Sequence, residues 1–265
     1  MTFSSRLTLA ISTMPAIAFA VMLVSPCVAP IAGVGCQLAI AQSQAGSLTH
    51  ISFPSDKSDF HGAGLYTVTI DEDSSQILVP EEPLPGRPWV LAAELYNLAS
   101  PPLANLARTE LALVERGFHV VALPLGNTFG SPKSVAKYDR LYIKMTETDG
   151  LSKRLSLLGL SRQGLAMARW VAANPGKVSY IYLDKAVCDF KSWPGGKLGF
   201  GKGNPADWER LIQAYGFKSE AEAMTYKWNP LDLAPKLVAS KVAILYLAGE
   251  TDDAVPSSEN GGRLQ

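Results

Sequence analysis

The chain lacks an excess of either charge. Its 24 Lys and Arg balance 24 Asp and Glu, so the net charge is zero. Proteins that grip nucleic acid carry a basic excess gathered on one face, and the balance argues against nucleic acid as a partner. Cysteine is scarce too. Cys27 and Cys36 fall near the N-terminus and leave Cys188 alone in the rest of the chain. That excludes an internal disulfide framework there, and a zinc site built on cysteines. Cys188 reads as a small buried apolar residue rather than a nucleophile. Histidine is limited to His50, His61 and His119. No internal repeat, heptad run or metal-ligand cluster is visible, and neither a metal nor a cofactor is expected.

Charge is missing altogether between Arg6 and Asp56. Leu7 to Val24 is almost wholly apolar behind a single charge, the pattern of an export leader. Ala39-Ile40-Ala41 supplies a small-x-small cleavage site. Residues 1–41 therefore read as a signal peptide and 42–265 as one domain, secreted or periplasmic. The alternative is a retained transmembrane anchor, since the apolar stretch is long enough to span a bilayer. Membrane contact is expected only in that case.

What is present begins after Gln42, as alternating strands and helices. Tyr66–Ile70 and Gln76–Val79 read as an antiparallel hairpin at a sheet edge, and Pro88–Ala93 as a third strand. Pro101-Pro102 opens a helix with Leu103, Ala107, Leu111 and Val114 at helical spacing, and Gly117 stops it. Phe118–Leu125 is a continuous apolar run, as a strand buried on both faces requires. Ser131-Pro132 reads as an N-cap and first-turn proline, followed by Val135, Tyr138, Tyr142 and Met145 on one stripe. Leu155–Leu160, Gly164–Ala173, Val178–Leu183 and Val242–Ala248 continue as strand, helix, strand, strand. The order argues for a mostly parallel α/β sheet with right-handed crossovers. With 47% apolar residues the chain can bury a sizeable core.

The most informative stretch is Leu158-Gly159-Leu160-Ser161-Arg162-Gln163-Gly164. An apolar strand runs straight into Gly-x-Ser, and a helix begins directly after. Such a turn projects a hydroxyl nucleophile above the sheet edge and turns the next backbone N–H toward a developing oxyanion. Ser161 is the candidate nucleophile. The oxyanion donors are assigned to Arg162 and to an N–H near Leu91 or Ala92. The pattern wants glycine two residues after the serine, where this chain has Gln163 and delays glycine to Gly164. Gln163 is expected to point into the helix or the insertion above it. Asp252, in the loop after the last apolar strand, is the candidate acid, in the Ser-then-Asp order this type of site uses. Asp184 is a second candidate, read as a turn carboxylate.

The base has no candidate. All three histidines precede Ser161. His119 lies inside an apolar strand. His61-Gly62-Ala63-Gly64 resembles an oxyanion motif, but it stands before the first long strand and reads as a turn. The base is expected after Asp252, beyond a further helix and strand, so the chain reads as C-terminally truncated.

Together with Glu115-Arg116-Gly117-Phe118-His119-Val120, Phe129-Gly130-Ser131-Pro132-Lys133 and Val187-Cys188-Asp189-Phe190-Lys191-Ser192-Trp193-Pro194-Gly195-Gly196, these motifs carry a family resemblance. From about Pro88 to Asn260 the chain resembles secreted α/β-hydrolases of prolyl-oligopeptidase-like type found in planctomycete bacteria. The resemblance implies an α/β-hydrolase fold, Ser161 as nucleophile, Asp252 as acid, and hydrolysis of an ester or amide. Residues 185–239 would be a lid. Trp193 and Trp208 are weak candidates for sugar platforms, with packing as the alternative. Gly199–Gly203 reads as a flexible flap rather than a phosphate loop. The leading expectation is a serine hydrolase acting on a small-molecule or carbohydrate ester through an acyl-enzyme. The competing ones are a non-catalytic binding protein on the same fold and an inactive fragment of the enzyme. N-terminal sequencing of the exported form is expected to begin just after Ala41, and a membrane-bound form starting at Met1 would overturn the cleavage.

Overall fold

The computed structural model describes residues 53, 55–95 and 104–264. The leader, His50 and the Pro101-Pro102 helix start lie outside the described residues. The hairpin seen in the sequence is the inner part of a three-stranded antiparallel unit, β1 (Ser58–Phe60), β2 (Ala63–Ile70) and β3 (Asp73–Val79). His61 and Gly62, with φ of 51° and 93°, form the two-residue turn between β1 and β2. Two positive-φ residues match the right-handed twist of the flanking strands, so His61-Gly62-Ala63-Gly64 is a turn.

The apolar runs that follow become β4 (Trp89–Ala92), β5 (His119–Ala122), β6 (Leu155–Leu160), β7 (Val178–Asp184) and β8 (Ala243–Leu247). The helices are α1 (Ala104–Glu115), α2 (Pro132–Ile143), α3 (Gln163–Ala173), α4 (Pro205–Tyr215), α5 (Glu220–Thr225) and α6 (Ala234–Ser240). The eight strands lie in the order β1-β2-β3-β5-β4-β6-β7-β8, antiparallel from β1 to β5 and parallel from β5 to β8. β4 and β5 are buried on both faces, as their unbroken apolar runs require.

Helices cover both faces. Tyr138, Leu141 and Met145 after β5, Met167, Trp170 and Val171 from α3, and Leu237 from α6 share one core. Ala107, Leu113 and Val114 of α1 pack on the opposite face against Val90, Val120 and Leu158. A third cluster around Phe190, Trp208 and Leu211 holds the long segment between β7 and β8.

Two details differ from the sequence reading. Ser131 sits at the N-cap of α2, but its side chain caps nothing; its carbonyl accepts the Ser134 hydroxyl at 2.8 Å. α6 was not foreseen, because seven residues with Pro235 in the first turn carry too little periodicity. β8, the last strand read in the sequence, is an edge strand among the described residues. Ile244 and Tyr246 face the core, whereas Leu245 and Leu247 are 42% and 45% exposed.

Two glycines let α3 approach the sheet. A Cβ on Gly164 would stand 2.6 Å from the Ala186 Cβ and 2.9 Å from the Val187 carbonyl. One on Gly159 would meet the Met167 Sδ at 3.0 Å. Gly164→Ala must therefore push the start of α3 off the segment after β7. We expect it to destabilise the fold by about 1–3 kcal/mol in urea unfolding, as overpacking does.

Candidate active site

The sheet reverses its winding between β4 and β6. From β4 the chain passes through α1 to β5 on one side, then through α2 back across β4 to β6 on the other. Elements leaving β4 and β6 turn to opposite faces, α1 to one and α3 to the other. Such a switch point opens a crevice at the carboxyl ends of the strands, where α/β sheets hold their ligands.

Ser161 stands at this crevice, one residue past the end of β6 and two before α3. Its φ of 52° is positive, rare for a residue with a side chain. Three backbone bonds hold the turn. Ser161 N–H donates to the Asp184 carbonyl at 3.0 Å, and the Ser161 carbonyl accepts from Gly164 N–H at 3.1 Å and Val187 N–H at 2.8 Å. The Arg162 N–H finds no acceptor among the described residues. The Arg162 guanidinium donates to Asn127 Oδ1 at 2.5 Å and lies 5.6 Å from the centre of the Trp193 ring. A cavity of about 230 Å³ adjoins the turn, lined by Ala93, Glu94, Leu125, Phe129, Arg162 and Gln163 among others.

Asp252 lies in the loop after β8. Because β6, β7 and β8 are parallel, this loop and Ser161 leave the same edge of the sheet. Leu160, Asp184 and Leu247 stand in register, two strand spacings or about 10 Å across. Asp252 Oδ1 accepts from Ala254 N–H at 3.0 Å and Val255 N–H at 2.8 Å, while Oδ2 takes no bond among the described residues. Asp184 is occupied by its neighbours: Lys185 Nζ donates to it at 2.6 Å and the Tyr182 hydroxyl at 3.2 Å. Burial, with the Asp184 charge second, pushes the Tyr182 phenol up to about 12.

Other expected residues fall elsewhere. Leu91 and Ala92 lie inside β4, in register with Val121 and Ala122 on one side and Leu157 and Leu158 on the other, and neither lines the cavity. The next residues, Ala93 and Glu94, do. Gln163 does not turn into the helix or the insertion. Its Oε1 accepts the Leu160 N–H at 2.9 Å, and its Nε2 donates to Glu94 Oε1 at 3.2 Å. Trp193 stands beside Arg162, but Trp208 is packed away at 7% exposure with its indole N–H on Glu220 at 2.9 Å. That corrects Trp208 from platform to packing. Cys188 is fully buried, and desolvation pushes its thiol up to about 12. His119 is buried at the first position of β5, the opposite edge from Ser161. His61 lines a separate cavity under the β1–β2 turn, with β2 four strand spacings or about 20 Å from β6. Gly199–Gly203 is no phosphate loop: the buried Glu259 carboxylate accepts the Phe200 and Gly201 N–H groups at 2.7 and 3.3 Å.

The residues that fix the Asp252 loop carry no local sequence signal. Asn260, wholly buried, accepts Cys188 N–H at 2.9 Å and Asp189 N–H at 3.3 Å. It also donates to the Ser192 hydroxyl and the Pro256 carbonyl, both at 3.0 Å. Val187, which holds the Ser161 carbonyl, immediately precedes Cys188, so Asn260 joins the two halves of the site. No short motif announces it, because three of its four partners lie about seventy residues away.

No protein-family model matches the chain, and no curated protein does. Solved structures match by shape. A puromycin-hydrolysing peptidase of Mycobacterium tuberculosis aligns with a TM-score of 0.57 and 14% identity, over 76% of this chain and 33% of that one. An esterase from Pyrococcus furiosus aligns with a TM-score of 0.52 and 14% identity, over 80% of this chain and 82% of that one. Dipeptidyl peptidase 4 of Porphyromonas gingivalis gives 0.55 and 14%, over 76% and 29%. The fold is that of the α/β-hydrolases. The chain spans about a third of the length of the puromycin-hydrolysing peptidases it matches. At such identities the likeness is one of fold. Within it, the Asn260 cluster is the test of how the site is held. Asn260→Ala strips two buried N–H groups of their acceptor and is expected to cost about 2–3 kcal/mol in urea unfolding.

Proposed function

We propose that the chain is a serine hydrolase that cleaves a carboxylic ester, or an amide, through an acyl-enzyme on Ser161. The observation that carries this reading is the Ser161 turn itself. A side-chain-bearing residue is held at positive φ between a parallel strand and a helix, at the switch-point crevice and beside a cavity. Such backbone strain costs about 1–3 kcal/mol and collects at functional sites. The Arg162 N–H, unclaimed among the described residues, is the first oxyanion donor. The second falls to the chain just beyond Ala92, where β4 has left its ladder. Asp252 is the acid in this reading, because its Oδ1 is anchored by the loop backbone while Oδ2 stays available. The cavity, about 230 Å³, is below the roughly 300–1,000 Å³ of pockets for drug-sized ligands and suits a short acyl group. Export by the leader remains part of the proposal. Among the described residues no helix is long and apolar enough to cross a membrane.

A binding protein on the same fold is the second reading. It is favoured by the places of His61 and His119, neither of which stands at the carboxyl edge with Ser161. A serine hydroxyl attacks well only when a base removes its proton.

The two readings separate on one experiment. A fluorophosphonate probe is expected to label the chain once, at Ser161, and Ser161→Ala to abolish both labelling and hydrolysis of aryl esters. Acetyl and butyryl esters are expected to turn over faster than decanoyl ones. Absence of labelling, or labelling that survives Ser161→Ala, would sink the hydrolase reading in favour of a binding role.

A further inference from the structure

β4 ends at Ala92, opposite Leu158 of β6. Continued by two residues, the same register would set Glu94 opposite Leu160. The ladder stops short of that step, and β4 and β6 part to form the crevice. The Gln163 carboxamide stands in the gap, with Oε1 on the Leu160 N–H at 2.9 Å and Nε2 on the Glu94 carboxylate at 3.2 Å. One side chain thus replaces the missing rung between the two strand ends. It does so one residue before Ser161 on one side and two residues past Ala92 on the other.

We infer that Gln163 is a positioning residue for the hydrolysis proposed above. Its carboxamide fixes the segment after β4 against the Ser161 turn. It thereby sets the separation between the backbone donors that the proposed function assigns to Arg162 and to the chain beyond Ala92. Donors serve an oxyanion only at hydrogen-bond distance from where the charge develops, and small displacements are costly there. A carboxamide suits the gap because it offers one acceptor and one donor at once. Glutamate at 163 keeps the acceptor for Leu160 N–H but sets a second carboxylate against Glu94. Alanine leaves the Leu160 N–H without its acceptor.

The test uses the full 265-residue chain and two readouts. Amide exchange at Leu160 and over 93–95 reads the rung directly, without need of turnover. Gln163→Ala is expected to speed Leu160 exchange about tenfold, the effect of losing one hydrogen bond, and Gln163→Glu, which keeps that acceptor but sets two carboxylates together, to speed exchange over 93–95 by a similar factor. The reversed pair, Gln163→Glu with Glu94→Gln, restores acceptor and donor in exchanged order and is expected to bring the rate back within about threefold. On an aryl acetate the single substitutions are expected to lower kcat by about ten- to a hundredfold with KM little changed, and the reversed pair to recover it. Unchanged exchange in Gln163→Ala overturns the inference. So does a reversed pair no better than the singles, or a loss confined to KM. If Ser161→Ala leaves turnover intact, the hydrolase reading falls, and the exchange data alone decide whether the rung exists.

Discussion

The arrangement rests on the backbone of Ser161. Its peptide is held at φ 52° by a bond to the end of β7 through Asp184 and by another from Val187 beyond it. This pins the turn to the neighbouring strand rather than to β6 alone. α3 can start immediately afterwards only because Gly164 lets it rest on Ala186 and Val187 without a Cβ between them. The cost of the strained residue is offset by these contacts, and the hydroxyl is left at a sheet edge where no strand competes for the space.

The second brace comes from the segment between β7 and β8. Arg169, on α3, donates to the Gly130 carbonyl and, at 3.1 Å, to the Tyr215 hydroxyl, which in turn donates to the Phe129 carbonyl at 2.9 Å. Its guanidinium also lies 5.7 Å from the centre of the Tyr226 ring. α3 is therefore clamped between the sheet on one side and the aromatic cluster of Phe190, Tyr215, Phe217 and Tyr226 on the other. Neutral polar groups and aromatic faces surround the Arg169 charge, an arrangement suited to a guanidinium because it spreads its charge and is weakly hydrated.

Much of this was legible in the sequence where the signal was local. Leu155–Leu160 is apolar but for Ser156 and ends at Gly-x-Ser, so strand, turn and helix follow from a short local run. Asn204 and Ser219 cap α4 and α5, each side chain accepting a backbone N–H three residues on. Legibility failed where a residue's role depends on distant chain. An apolar run such as that holding Leu91 and Ala92 does not say where its neighbours stop pairing, and so does not fix which residue near them presents a free N–H. The ends of β5 and β6 decide that. Glu259 and Asn260 follow a proline in a polar stretch and look like surface residues, yet both are buried by partners in 188–201. Gln163 looked like a defect in a glycine pattern because the pattern describes only the turn. The gap it spans belongs to β4, sixty-nine residues earlier.

These failures share a cause. A switch point needs two parallel strands to part, and parting strands leave backbone N–H groups that the ladder no longer satisfies. Water satisfies them where the crevice is open, but a site that excludes water must supply acceptors from side chains. Gln163 does this for Leu160, and in the segment beyond β7 Asn260 likewise accepts the Cys188 and Asp189 N–H groups. Among the described residues the Arg162 N–H is left over. A donor without a partner is costly in an ordinary turn and useful in a catalytic one, where the missing partner is a charge that exists only during the reaction. Among the described residues, the side chains that close the neighbouring positions thus leave open the N–H of the residue that follows Ser161.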